Sequence, residues 1–130
     1  MPSPARRIAL PLIALACLAG CSRPERPPLG MVAGTVTLDG RPLPDATVLF
    51  TPDSRGRTSQ GLTDGEGHYR LLYLRDIEGA NLGRHTVRIT TASEENRRRE
   101  LLPRRYHAKT ILEATVAPGE NRCDFELQSR

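Results

Sequence analysis

From Val32 onward, apolar and polar residues alternate along this chain with a period of two, as in strands that bury one face and expose the other. Val32, Val36 and Leu38 share one side with Gly34, and Thr35 and Thr37 take the other, so Met31 to Leu38 is a first strand. Asp39-Gly40 is a tight-turn signal. Ala46, Val48 and Phe50 then mark a second strand, ended by Thr51-Pro52-Asp53. A polar stretch from Ser54 leads into a third, edge-like strand through Thr63, and Asp64-Gly65-Glu66-Gly67 is the next turn. Tyr69, Leu71 and Tyr73 alternate in the fourth strand, with Leu72 and Leu74 opposite. Asp76 to Gly83 reads as a loop, and His85, Val87, Ile89 and Thr91 face inward in the fifth strand. Ser93 to Arg99 is a charged excursion, after which Tyr106 is placed near the sandwich edge. Leu112, Ala114 and Val116 form the sixth strand, and Pro118-Gly119-Glu120-Asn121 a turn. Cys123, Phe125 and Leu127 line the inner face of the seventh. Seven short strands with regular turns predict an all-β, antiparallel Greek-key sandwich over residues 31–130.

The first thirty residues follow a different pattern. Arg6-Arg7 supplies a positive start, Ile8 to Leu18 an apolar run broken only by Pro11, and Ala19-Gly20 two small residues before Cys21. These are the three parts of a secretory signal, and the apolar run is too short for a membrane span of roughly 20 residues. Residues 1–20 are therefore expected to be removed. Residues 21–30 hold three prolines and read as an extended tether, at roughly 3.1 Å per residue.

Leu18-Ala19-Gly20-Cys21 resembles the bacterial lipobox. The resemblance implies cleavage between Gly20 and Cys21, a diacylglycerol on the Cys21 sulfur and acylation of the new amine. Several acyl chains anchor a protein stably where one does so only marginally. The membrane would thus be a partner through the N-terminal lipid, with the domain facing the periplasm or the cell exterior. Ser22 after the cysteine favours the outer membrane over the cytoplasmic one.

Composition adds little to this picture. Glycine and proline number 11 each, in keeping with many turns, and aromatic residues make up 4% with no tryptophan, so the core rests on Val, Leu and Ile. The formal charge is +4, and loss of Arg6 and Arg7 leaves 17 basic residues against 15 acidic. Nucleic-acid binding has no warrant there, since it requires a clustered basic face. Arg97-Arg98-Arg99 with Arg104-Arg105 is the densest run of positive charge, but Glu94, Glu95 and Glu100 flank it. It reads as a solvated loop, with contact to lipid head groups or an acidic polymer as the alternative. With Cys17 in the signal and Cys21 lipidated, Cys123 has no disulfide partner and reads as a small core residue.

No cofactor and no metal site is expected. Asp64 and Glu66 could contribute to a calcium loop, yet two carboxylates do not fill the six to eight oxygen positions calcium takes, and a glycine-supported turn explains the segment. His68, His85 and His107 lack zinc spacing and a thiolate pair. No nucleophile elbow, phosphate loop or paired-carboxylate signature is present, so an enzyme is not expected.

The segments Ala33-Gly34-Thr35-Val36-Thr37-Leu38-Asp39-Gly40, Ala46-Thr47-Val48-Leu49-Phe50, Gly61-Leu62-Thr63-Asp64, Gly67-His68-Tyr69-Arg70-Leu71, Leu82-Gly83-Arg84-His85-Thr86-Val87 and Asp124-Phe125-Glu126-Leu127 follow one another in a set order. In that order they resemble the carboxypeptidase regulatory-like domain lipoproteins of the planctomycete type, across essentially Val32 to Leu127. The resemblance implies a seven-stranded prealbumin or transthyretin-like sandwich without catalytic residues of its own. Its implied role is a structural or interaction module of the cell envelope, docking an envelope protein or polysaccharide. A carbohydrate-binding module is the runner-up, and would need an exposed pair of coplanar aromatic rings. Transthyretin-like hydrolases carry a Tyr-Arg-Gly-Ser-like C-terminus. This chain ends Glu126-Leu127-Gln128-Ser129-Arg130 instead, which puts that activity in doubt.

Overall fold

The computed structural model describes residues 26–130, together with the isolated positions Pro4 and Gly20. The remaining residues of the expected signal, and Cys21 to Glu25 of the expected tether, lie outside the described residues. The elements are all β, apart from one 3-10 turn at Arg104–Tyr106. They run β1 (Leu29–Leu38), β2 (Arg41–Pro42), β3 (Thr47–Pro52), β4 (Ser59–Leu62), β5 (His68–Arg70), β6 (Leu72–Leu74), β7 (Ile77–Glu78), β8 (Ala80–Asn81), β9 (Gly83–Thr90), β10 (Leu112–Val116), β11 (Gly119–Arg122) and β12 (Phe125–Leu127).

Two sheets face each other across one core. In the first, β1 is the hub and pairs with β2, β5, β8, β11 and β12. The second runs β10-β9-β3-β4-β6-β7 and is antiparallel throughout. The antiparallel pairing expected everywhere fails at one place: β11 and β12 run parallel to β1. The cause is topological, since β10 belongs to the second sheet and the chain crosses between sheets before β11 begins. Parallel neighbours arise from such crossovers and not from hairpins.

The alternation predicts the inner faces well. Val48, Phe50 and Pro52 of β3 point inward, as do His85, Val87 and Ile89 of β9. Val32 and Val36 of β1, Leu71, Val116 and Leu127 complete the core, each at most 2% exposed. Phe50 meets Phe125 edge-on at 6.2 Å between ring centres, joining the two sheets. Each such side chain contributes roughly 1.5–3 kcal/mol through burial.

Four expectations need correction. β1 begins at Leu29, before Met31, because Leu29 and Gly30 pair with Asn81 and Ala80. β4 is not an edge strand, since β6 lies along its outer side. The segment expected as a loop from Asp76 to Gly83 holds two short strands, β7 and β8. The Pro118–Asn121 turn is largely β11, aligned with Gly30 to Ala33.

Two glycines explain the local geometry. Gly34 lies where the chain jogs between β11 and β12, and a Cβ there would sit 1.9 Å from the Cys123 carbonyl oxygen. That close approach lets the Cys123 amide reach the Ala33 carbonyl at 2.9 Å. Gly67 has φ +79 and closes the turn before β5, where its carbonyl accepts from the Val36 amide at 2.8 Å.

Candidate functional site

The two ends of the sandwich are distinct. At the entry end, β1 begins beside β8 and β11, β3 ends opposite His85, and β10 ends opposite Gly83. At the distal end lie Asp39-Gly40, the Asp64–Gly67 turn and the charged excursion after β9.

An open groove of about 1430 Å³ runs along one side, between β1, β5 and β4, towards the distal excursion. Ser93 and Arg98 close that excursion into a hairpin, exchanging backbone hydrogen bonds at 3.3 and 3.0 Å. Arg98 then reaches Asp45 at 2.9 Å across the groove's rim. Met31 and Leu62, 42% and 62% exposed, supply apolar surface, while Gln60, Asn96 and Arg70 supply hydrogen-bonding groups. His68 shares a hydrogen bond of 3.0 Å with the Thr35 hydroxyl and lies 3.4 Å from Glu66. Chemically the groove offers mixed polar and apolar contacts.

The hairpin is fastened at its base by Glu100. Its carboxylate accepts from the Thr91 amide at 3.0 Å, the Thr91 hydroxyl at 2.9 Å, the Leu102 amide at 3.2 Å and the Thr90 hydroxyl. Partial burial pushes the carboxyl upward, but these hydrogen bonds outweigh it and hold Glu100 below the ordinary carboxylate value. In the sequence Glu100 reads only as a charge flanking arginines. Leu102 is close in sequence, but Thr90 and Thr91 lie ten and nine residues away, at the end of a strand, and no local motif signals them.

The three histidines singled out in the sequence are not brought together, whereas Asp64, Glu66 and His68 meet at one turn. Asp64 accepts from the His68 and Glu66 amides at 2.9 Å each, which lowers its pKa and spends one oxygen on the turn. Glu66 points to His68. His85 is buried against Phe50, with ring centres 5.6 Å apart, and burial lowers its pKa despite a bond from Nδ1 to the Gly83 carbonyl. His107 is half-buried and bonds the Leu102 carbonyl through Nε2 at 3.1 Å. Among the described residues, no three His, Cys, Asp or Glu side chains are placed to hold a metal ion together. Cys123 is half-buried, and burial pushes its thiol up, away from reactivity.

The arginine run is divided among different tasks. Arg98 pairs with Asp45, and Arg105 donates to the Gln128 and Arg130 carbonyls while lying 4.8 Å over the Tyr106 ring. Arg97, Arg99 and Arg104 remain exposed. All five aromatic side chains are buried or half-buried, and their ring pairs are core contacts, so no exposed coplanar pair exists. Gly20 is exposed, and Cys21 lies outside the described residues. Among the described residues no helix is long and apolar enough to cross a membrane.

The chain matches no protein-family model, no curated protein and no solved structure.

Proposed function

We propose that this protein is a membrane-anchored bacterial lipoprotein of the cell envelope, and that its β-sandwich is a non-catalytic interaction module. One observation carries the reading: the basic start, apolar run and Leu18-Ala19-Gly20-Cys21 stand a short, proline-rich interval ahead of the first strand. The two facing sheets support a transthyretin-like, seven-stranded Greek-key assignment, with β5 and β6 counted as one strand that changes sheet at Leu71 and β2, β7, β8 and β11 as short additions. The groove supports the interaction role, because it combines exposed apolar side chains with polar groups beside a hairpin held firmly at its base. The buried aromatic rings favour a protein partner, or a polysaccharide held by hydrogen bonds, over a sugar stacked on aromatic platforms.

Mass spectrometry of the N-terminus of the native protein tests the anchor. The expected result is a chain starting at acylated Cys21, with Cys21→Ser moving the protein out of the membrane fraction. An intact, unmodified Met1 on a soluble protein would overturn the reading. A photo-crosslinking residue in place of Leu62 should capture an envelope component that the same residue in place of Ile111, outside the groove, does not.

A further inference from the structure

We infer that the entry end of the sandwich is a docking surface for anionic phospholipid head groups. The inference rests on the proposed lipid anchor, because the anchor would hold this end towards the bilayer.

Four arginines far apart in sequence meet there. Arg26 leads into β1 and shares a concavity with Asp76, Ile77 and Glu78. Arg55 and Arg57 lie in the loop between β3 and β4, which Gly56 presses against Asn81 of β8; a Cβ on Gly56 would sit 2.1 Å from the Asn81 Nδ2. Arg75 follows β6. Arg75 precedes Asp76, which shares that concavity with Arg26. All four are exposed, and none has an ion pair among the described residues.

The acids at this end cancel them only in part. Asp53 is engaged by Arg84 at 3.8 Å and by the Thr86 hydroxyl at 3.1 Å, and Glu78 by Arg70 at 3.2 Å. Among the described residues, Asp76 and Glu120 of β11 are left without an ion pair at this end. Leu74, 38% exposed, stands next to Arg75 and offers an apolar contact at the head-group boundary.

Position selects lipid as the partner. This is the end from which the chain runs back to Cys21, through a tether of roughly 25 Å when extended. Attraction to an anionic surface decays over about 8–10 Å at physiological salt, so the basic end must come down onto the surface to be held. A short tether keeps it at millimolar effective concentration, and each arginine near the surface strengthens contact about fivefold.

The test uses the native acylated protein in vesicles carrying a quencher on the lipid head groups, with Cys123→Ala removing the endogenous thiol. A fluorophore is placed at Ser54→Cys on the entry end or at Glu94→Cys on the hairpin. In vesicles containing phosphatidylglycerol, the Ser54 label should be quenched several-fold more strongly than the Glu94 label. High salt should abolish the difference, as should Arg55→Ser, Arg57→Ser and Arg75→Ser combined. The charge-matched set Arg97→Ser, Arg99→Ser and Arg104→Ser should leave it intact. Equal quenching of the two labels, the same quenching in pure phosphatidylcholine, or equal effects of the two triple variants would overturn the inference. Failure to float with neutral vesicles would overturn the anchor instead. In that case, sedimentation with phosphatidylglycerol vesicles tests the arginines directly, the entry-end triple variant being expected to weaken binding about a hundredfold.

Discussion

The two ends of this sandwich carry similar kinds of residues and use them in opposite ways. At the distal end, four acids are spent inside the protein: Asp39 accepts from Ser129, Asp64 ties its own turn, Asp45 holds Arg98, and Glu100 takes four hydrogen bonds. At the entry end, Arg26, Arg55, Arg57 and Arg75 have no ion-pair partners among the described residues. The difference teaches that density of charge along a chain is a poor guide to charge available for a partner. The arginine run at 97–105 is the denser in sequence, yet Arg98 and Arg105 are committed at home.

The harshest test asks whether the ends share one cooperative core. Gly34→Ala places a Cβ against the Cys123 backbone, which cannot give way like a flexible side chain. We expect a loss of about 3 kcal/mol, or more. Both ends should unfold in the same transition, as read by urea titration with separate fluorophores. If one end melts first, the two regions are separate units and their comparison fails.

Next in size is Glu100→Ala, which strands the Thr91 and Leu102 amides and should cost about 2 kcal/mol. Trypsin should then cut at Arg97 to Arg99 much faster, while the Arg55–Arg57 loop keeps its wild-type rate. Hydrogen exchange at Thr91 would report the same loosening.

Acid should separate the ends further. Burial lowers the pKa of His85 at the entry end, so as pH falls through 6.5 the unfolded chain takes up a proton before the folded one does. Stability therefore declines from 6.5 downward until folded His85 is also protonated. Glu100, Asp39 and Asp64 at the distal end are likewise lowered, through hydrogen bonds that outweigh burial. Their contribution is full above the ordinary values of 4.5 and 3.8 and is lost as pH falls through their folded values. His85→Leu should remove the first decline only, and Glu100→Gln should reduce the second only, as measured by thermal midpoint against pH.

The smallest effect on stability is expected from Arg55→Ser, Arg57→Ser and Arg75→Ser together, within about 0.5 kcal/mol per site. Their consequence belongs to docking, and a large stability loss would show that these arginines hold the fold.

Much of the architecture is legible in the residues because one-sided burial writes itself as alternation. His85, Val87, Ile89 and Thr91 are all buried, as their spacing predicts. The reading fails where the backbone, and not the side chains, decides. Gly119-Glu120-Asn121 has turn chemistry, yet it forms β11 because a parallel neighbour supplies its hydrogen bonds, while Asn121 bonds the Met31 carbonyl at 3.0 Å and the Ala117 amide at 2.9 Å. Tyr69, Leu71 and Tyr73 keep one alternation, although the chain passes from the first sheet to the second at Leu71. The groove and the basic entry end were not legible at all. Both are assembled from segments distant in sequence, and no window of residues contains them.

The hub position of β1 also sets a schedule. Its parallel partners arrive late, and Thr35 is joined to Asp124 across a sequence separation of 89. The first strand made therefore waits for the last before its sheet can close, and contacts of such long range form slowly. A chain built this way keeps its first sheet open until its final strand emerges.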